Sequence, residues 1–211
     1  MSAQARPGPG LRAALACAIA VPFVYYATQL IAAPFFPDYS FLRQAASTLG
    51  SHSAPLPWIF NSGAVLTGIA TLIGAAGIAD ALRRLRRPPL AIALVTLALL
   101  INAVVSIKAA YFPLPHPRHG SGPLMIGILL FPSFMILALW SLERSGAIKR
   151  YLLATNLWIL ALIPFMAHWT GLDTRACTGL LQRLATLAIY PPIGIAAWYL
   201  ARRLRAPEPR A

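Results

Sequence analysis

The chain is 211 residues long, 58% hydrophobic and only 11% charged, yet it carries a formal net charge of +13. A water-soluble domain needs charge on roughly a quarter of its residues to cover its surface, so a soluble globule of this size is excluded. The positive balance does not call for nucleic acid either, because the apolar residues are gathered into runs of about twenty, the length that crosses a hydrocarbon core of roughly 30 Å.

Residues 1–12 form a polar, basic, Pro/Gly-rich leader, and Ala13 to Ala33 is the first uncharged run. It exceeds the apolar stretch of about 7–15 residues in a signal peptide, so a retained first helix is expected. The connection from Phe35 to Pro57 places Phe41, Leu42, Ala45, Ala46 and Leu49 at helical spacing, with Arg43, Gln44, Ser47 and Thr48 opposite. That pattern predicts a short helix lying in the membrane interface, with an irregular loop as the alternative.

The second span runs from about Trp58 to Leu82 and ends on the arginine run at 83–87. Its Gly63, Thr67, Ala70, Thr71 and Gly74 are small residues that let helices approach closely. The third span covers about Leu90 to Phe112, the fourth Pro123 to Leu142, the fifth Leu152 to Thr170 and the sixth Leu180 to Ala201. The fold class is therefore all-α, a polytopic transmembrane helix bundle of about six helices. It forms one domain over 13–202, with a leader at 1–12 and a tail at 203–211. Pro22, Pro132, Pro164 and Pro191–Pro192 fall near the middle of their spans, where each removes an intrahelical hydrogen bond and bends its helix.

Most of the arginines and lysines lie at the chain ends and in the second and fourth connections, among them Arg83, Arg84, Arg86, Arg87, Arg144, Lys149, Arg150, Arg202 and Arg203. The positive-inside bias then puts both termini in the cytoplasm. Richness in Ala, Arg, Leu and Pro suits a GC-rich bacterium, which makes the bacterial inner membrane the expected location. All five tryptophans, Trp58, Trp140, Trp158, Trp169 and Trp198, fall near expected span ends. Cys17 and Cys177 map to opposite sides, so no internal disulfide is expected.

The polar residues are distributed unevenly. All four histidines, His52, His116, His119 and His168, map to the expected external side, with Asp38, Asp173, Arg43, Arg118 and Arg175. Ionisable groups in membrane spans are costly and usually face a wet cavity or a partner. An extracytoplasmic polar pocket follows, with Asn61, Lys108, His119, His168, Asp173, Gln182 and Arg183 as candidate ligand-binding residues. The alternative is that Lys108 and Arg183 snorkel to the headgroups while the loop histidines are solvated. Asn61, Asn102 and Asn156 are expected to make interhelical hydrogen bonds.

No catalytic, cofactor or metal residue is assigned. Pro115 and Pro117 keep His116 and His119 off one helical face, and no Gly-x-Ser-x-Gly elbow is present. The first reading is a non-catalytic protein that binds a lipid headgroup or a partner protein. Lys108, Arg183, Arg43 and Arg175 would supply charge, and His119 and His168 orientation. A membrane-embedded lipid hydrolase using His and Asp, with or without zinc, and a small transporter are the alternatives. Membrane lipids are the expected partners, with a membrane-protein partner or self-association beside them and no nucleic acid.

Ala46-Ser47-Thr48-Leu49-Gly50, Pro57-Trp58-Ile59-Phe60-Asn61-Ser62-Gly63, His119-Gly120 and Gly179-Leu180-Leu181-Gln182-Arg183 occur in that order. In this the chain resembles a bacterial and archaeal family of small polytopic membrane proteins, domain of unknown function 998, over roughly residues 11–202. Thr48 stands where that family's pattern has an acid. The resemblance implies a six-helix fold with an external cluster of polar residues, and it implies no activity.

Overall fold

Proline marks where most of the helices begin. Its ring fixes φ, and its missing N–H costs nothing in a first turn, where that group has no intrahelical partner. Pro9 opens α1 (Pro9–Ala32), Pro57 opens α2 (Pro57–Arg84) and Pro89 opens α3 (Pro89–Tyr111). The chain continues through α4 (Met125–Leu129), α5 (Phe131–Ala138), α6 (Gly146–Met166), α7 (Thr178–Leu187) and α8 (Tyr190–Arg203). This computed structural model describes residues 7–205, which contain helices and no strand; the parts of the expected leader and tail at 1–6 and 206–211 lie outside the described residues.

The structure confirms an all-α bundle and changes its boundaries. The first helix starts at Pro9, inside the expected leader, and the fifth span runs from Gly146 to Met166 rather than from Leu152 to Thr170. Pro22 and Pro164 sit inside unbroken helices, whereas the fourth and sixth spans are each split. Leu130 separates α4 from α5 just before Pro132, and Ala188–Ile189 separate α7 from α8 just before Pro191–Pro192. The tandem prolines withhold two successive N–H groups from the preceding turn, and a helix is not continued across that loss.

Among the described residues, five segments are long and apolar enough to cross a membrane: Pro9–Phe35, Pro57–Arg84, Pro89–Tyr111, Gly146–Met166 and Arg175–Arg203. Gly122–Ala138 is a shorter apolar sixth. Phe23, Leu30, Leu66, Leu97, Leu157 and Leu160 on these helices are all exposed. Such a surface has its natural solvent in acyl chains, and the chain is a multi-pass integral membrane protein.

Hydrophobicity does not hold helices together in lipid; close van der Waals packing does. Here α2 is the central element, packed on α1 and α3, and α1 also packs on α8. A methyl group added at Gly74 would meet the Cβ of Ala18, one at Gly77 that of Ala14, and one at Gly63 the side chain of Thr28. The small residues of α2 thus seat α1 antiparallel against it. The dense core of Leu15, Val21, Ile78, Leu82, Leu99, Met135, Leu152, Ile193 and Leu200 occupies the half of the bundle nearer the arginine-rich end. The opposite end, called the mouth below, carries the connections 33–56, 112–124 and 167–177.

The interfacial helix expected near Phe41–Leu49 is replaced by a turn at 41–43 and a five-residue 3-10 helix, Ala46–Gly50. A continuous helix needs the carbonyls of Phe41 and Gln44 for its own N–H groups, and both are taken by Arg183 from across the mouth. Ala46 and Leu49 are nonetheless buried, packed with Ala32 and Phe60.

Candidate functional site

At the mouth the bundle is hollow. The short half-helices α4 and α7 stand apart from the dense core, and between them, α3 and α6 lies a cavity of about 400 Å³. The wall is built from Asn102, Val105, Ser106 and Ala109 of α3, and from Met125, Ile128 and Leu129 of α4. Ile159, Ile163 and Met166 of α6 face Gln182, Ala185 and Thr186 of α7. His119, Gly120, Ser121 and Ser47 contribute from the mouth connections, and Tyr25 and Tyr190 from α1 and α8. The two tyrosine rings stack with centroids 3.9 Å apart.

Two kinds of polar group line this mostly apolar space. Some have partners: Thr186 Oγ1 accepts from the hydroxyl of Tyr26, which is not itself part of the wall, at 3.3 Å, and the hydroxyls of Ser106 and Tyr190 lie 3.4 Å apart. Asn102 is different, because it is 4% exposed and its Oδ1 has no hydrogen-bond partner.

The helix break beside the cavity leaves Leu184 O without its usual acceptance, since Ala188 N–H donates to Ala185 O instead. Trp158 Nε1 reaches across from α6 and donates to that carbonyl at 2.8 Å. This is how a membrane helix tolerates a break, with a neighbour satisfying the freed backbone group. Trp158 therefore lies well inside α6 with an internal partner, not at a span end as its position in the sequence suggested.

A strap, the connection that follows α1, crosses the mouth and is fastened to α7. Arg183 Nη1 donates to Phe41 O (2.7 Å), Gln44 O (3.0 Å) and Gly179 O (2.9 Å), and Nη2 donates to the hydroxyl of Tyr39 at 2.6 Å. Its guanidinium also lies over the Phe41 ring, 4.7 Å from the centroid. Tyr39 in turn donates to Ala45 O at 2.9 Å. Burial pushes the Tyr39 phenol above its ordinary range, and the hydrogen bond and charge of Arg183 offset part of that rise. Ala46 N–H donates to Gln182 Oε1 at 2.6 Å, Leu180 N–H to Leu42 O and His52 N–H to Leu114 O.

The seven candidate residues separate into distinct settings. His119 and Gln182 line the cavity together. Lys108 joins them at one remove, its Nζ donating to the carbonyl of Gly120, which is part of the wall. Asn61 Nδ2 donates to Gly50 O, so it anchors the strap rather than another helix. Arg183 holds the strap, and its charge is directed to protein groups instead of standing open to an anion. His168 and Asp173 occupy a separate shallow depression with Arg175, which lies 4.0 Å from the Asp173 carboxylate. His168 adopts φ 57°, the left-handed conformation that ends α6.

His119 Nδ1 lies 2.8 Å from Phe112 O. A carbonyl accepts only, so Nδ1 carries the proton and Nε2 of the neutral ring is an acceptor. His168 Nδ1 meets Thr174 Oγ1 at 3.2 Å. Among the described residues, no three His, Cys, Asp or Glu side chains are grouped so as to hold a metal ion.

Residue-by-residue reading of the sequence missed Asn102 as a cavity residue, together with Ser106, Thr186, Tyr25 and Tyr190. One signal was available: Asn102 and Ser106 stand four apart, a polar pair on one face of an otherwise apolar helix.

The family described as Protein of unknown function (DUF998) matches residues 19–199. No curated protein matches the chain, and no solved structure does.

Proposed function

The chain belongs to the DUF998 family, whose description names no activity, and from that premise we propose that it is a non-catalytic membrane protein that binds a lipid or lipid-derived amphiphile in the cavity at its mouth. One observation carries the reading: a bundle packed densely over half its depth keeps a cavity of about 400 Å³ in the other half, apolar over most of its wall with a few polar groups set into it. Sites for small ligands have this make-up and fall between helices of bundles at roughly 300–1,000 Å³. Apolar walls suit a hydrocarbon portion, and the uncharged polar groups set among them, Asn102, Ser106, His119 and Gln182, suit a polar one.

Arg83, Arg84, Arg86, Arg87, Lys149, Arg150, Arg202 and Arg203 lie at the end remote from the cavity. By the positive-inside bias that end is cytoplasmic and the mouth extracytoplasmic, in the inner membrane of a bacterium. A hydrolase reading lacks support from the histidines: Nδ1 of His119 meets a backbone carbonyl and Nδ1 of His168 a hydroxyl, and neither contact is with a carboxylate that would orient a general base.

The test is lipid extraction from the protein purified in mild detergent, with identification by mass spectrometry, alongside the cavity-filling variant Ala109→Trp. Wild type should retain a defined lipid species that the filled variant has lost, while both keep the same helical circular dichroism. Equal lipid content in the two would overturn the reading. Impermeant maleimide should label a cysteine at Ser53 but not one at Arg86 in intact cells, in a chain with Cys17 and Cys177 replaced by serine; the reverse pattern would invert the orientation.

A further inference from the structure

The cavity carries more information than its volume, because one buried polar atom of its wall residues is unsatisfied. A buried carbonyl oxygen without a donor costs about 1–3 kcal/mol, and Asn102 Oδ1 is such an atom, on a side chain that is 4% exposed and part of the cavity wall. Asn102 stands nine residues before Tyr111, the mouth end of α3. At about 1.5 Å per residue this places it roughly 14 Å below that end. One turn further toward the mouth, on the same face, is Ser106, whose hydroxyl is 3.4 Å from that of Tyr190. That spacing is long for an O–H···O bond, which is usually 2.5–3.0 Å, so this pair has hydrogen-bonding capacity to share.

A group suited to this depth is uncharged and can donate a hydrogen bond to the carboxamide of Asn102. Among the described residues lining the cavity there is no Asp, Glu, Lys or Arg. An ammonium would find no counter-charge there, and a phosphate would find no cation; either ion without a partner is strongly disfavoured away from water. A hydroxyl meets both conditions, donating to Asn102 Oδ1 and accepting from Ser106 or Tyr190.

We propose that the cavity is a site for a neutral lipid alcohol, whose hydroxyl is held by Asn102 with Ser106 while its hydrocarbon trails toward the mouth past Met125, Ile163 and Met166. This assignment rests on the amphiphile-binding reading and names the head group of that amphiphile. The methionines fit the trailing segment, since their unbranched thioethers adapt to chains of differing shape.

The test compares three probes that share one chain: dodecanol, dodecyl methyl ether and dodecyl phosphate. Each is titrated against the full-length protein in nonionic detergent and bound molecules are counted by native mass spectrometry. In the wild type the alcohol should bind about tenfold more tightly than the ether, equivalent to roughly 1.4 kcal/mol, and also more tightly than the phosphate. Asn102→Leu should bring alcohol and ether to within about twofold of each other.

Equal binding of alcohol and ether to the wild type, with both lost in Ala109→Trp, would overturn the hydroxyl assignment and leave the cavity reading standing. Tighter binding of the phosphate would also overturn it. So would an Asn102→Leu variant that still prefers the alcohol tenfold. Failure of all three probes to distinguish wild type from Ala109→Trp would remove the cavity reading together with the assignment.

Discussion

Arg183 gives the sharpest test of how the mouth is held. Replacing it with Ala removes the donors for Phe41 O, Gln44 O, Gly179 O and the Tyr39 hydroxyl at once. These losses are unequal. Phe41 is exposed, so its carbonyl can turn to water, and Gln44 O keeps a longer bond from Tyr39 at 3.3 Å. Gly179 O keeps its place within α7. What remains is the Gln44 carbonyl with its longer bond alone, and a Tyr39 hydroxyl without its charged donor, at roughly 1–3 kcal/mol each, partly relieved because the site is only half-buried. We expect a net loss of about 3 kcal/mol, and at about 2–4 °C per kcal/mol for a chain of this size a fall in melting temperature of roughly 6–12 °C. Arg183→Lys should recover less than half of it, because a single ammonium cannot span acceptors that a planar guanidinium forks between. Melting in detergent, followed by intrinsic fluorescence, measures the loss. Trypsin cleavage after Arg43, at the turn Arg183 pins, should quicken in parallel. An Arg183→Ala protein that melts within about 2 °C of wild type and resists trypsin equally would refute the strap as described.

Three further outcomes follow from the same geometry. Trp158→Phe should lower stability by about 1–2 kcal/mol, since lipid cannot satisfy the freed Leu184 carbonyl; Trp169→Phe, on an exposed residue, should not. Gly74→Ala should cost about 1–3 kcal/mol by forcing α1 off α2, and adding Ala18→Gly should restore only part of it, because the new methyl would still meet the Ala18 backbone, with its Cα at 2.9 Å; the pair of melting temperatures checks this. Tyr39 titrates above its ordinary value of about 10 because burial disfavours the phenolate, so the native state holds its proton longer than the unfolded chain does. Its contribution is then complete below about pH 10 and is lost as the pH climbs through the raised native value. The melting-temperature difference between wild type and Tyr39→Phe should therefore stay constant from pH 7 to 9 and narrow above about pH 10; a difference that widens would contradict the sign.

The helices were legible because their signal is repeated along twenty residues at a time, and the close packing of α2 because Gly63, Gly74 and their neighbours recur at helical spacing, though not that α1 is the helix seated there. The strap was not legible. Its apolar residues have helical periodicity, but Arg183, some 140 positions away in sequence, takes the carbonyls a helix would use. Local pattern carries no record of a competitor that distant. The candidate site was legible in part for a related reason. Charge and imidazole draw attention to Arg183, His168 and Asp173, yet Arg183 is occupied by backbone and the other two lie in a separate depression. The least conspicuous polar residue, Asn102, is the one whose carbonyl is unmatched.

Why the hollow lies at one end follows from where the prolines stand. In lipid no hydrophobic collapse drives helices together, so a gap persists wherever small residues do not bring backbones close. From α1 to α3 they do, with Gly63, Gly68, Gly74 and Gly77 each set against a neighbouring helix. The mouth halves of the fourth and sixth spans have one such glycine each, Gly127 against Ile101 and Gly179 against the strap, and both spans are interrupted just ahead of proline, at Leu130 and at Ala188–Ile189. The interruptions uncouple α4 from α5 and α7 from α8. The arginine-end halves stay in the core through Phe131, Met135, Ile193 and Leu200, and the mouth halves are left to line the space. Asn102 stands on α3, an unbroken helix seated on the central α2. An unpaired acceptor on a continuous helix thus faces two short helices, each separated by a break from the half-span that stays in the core.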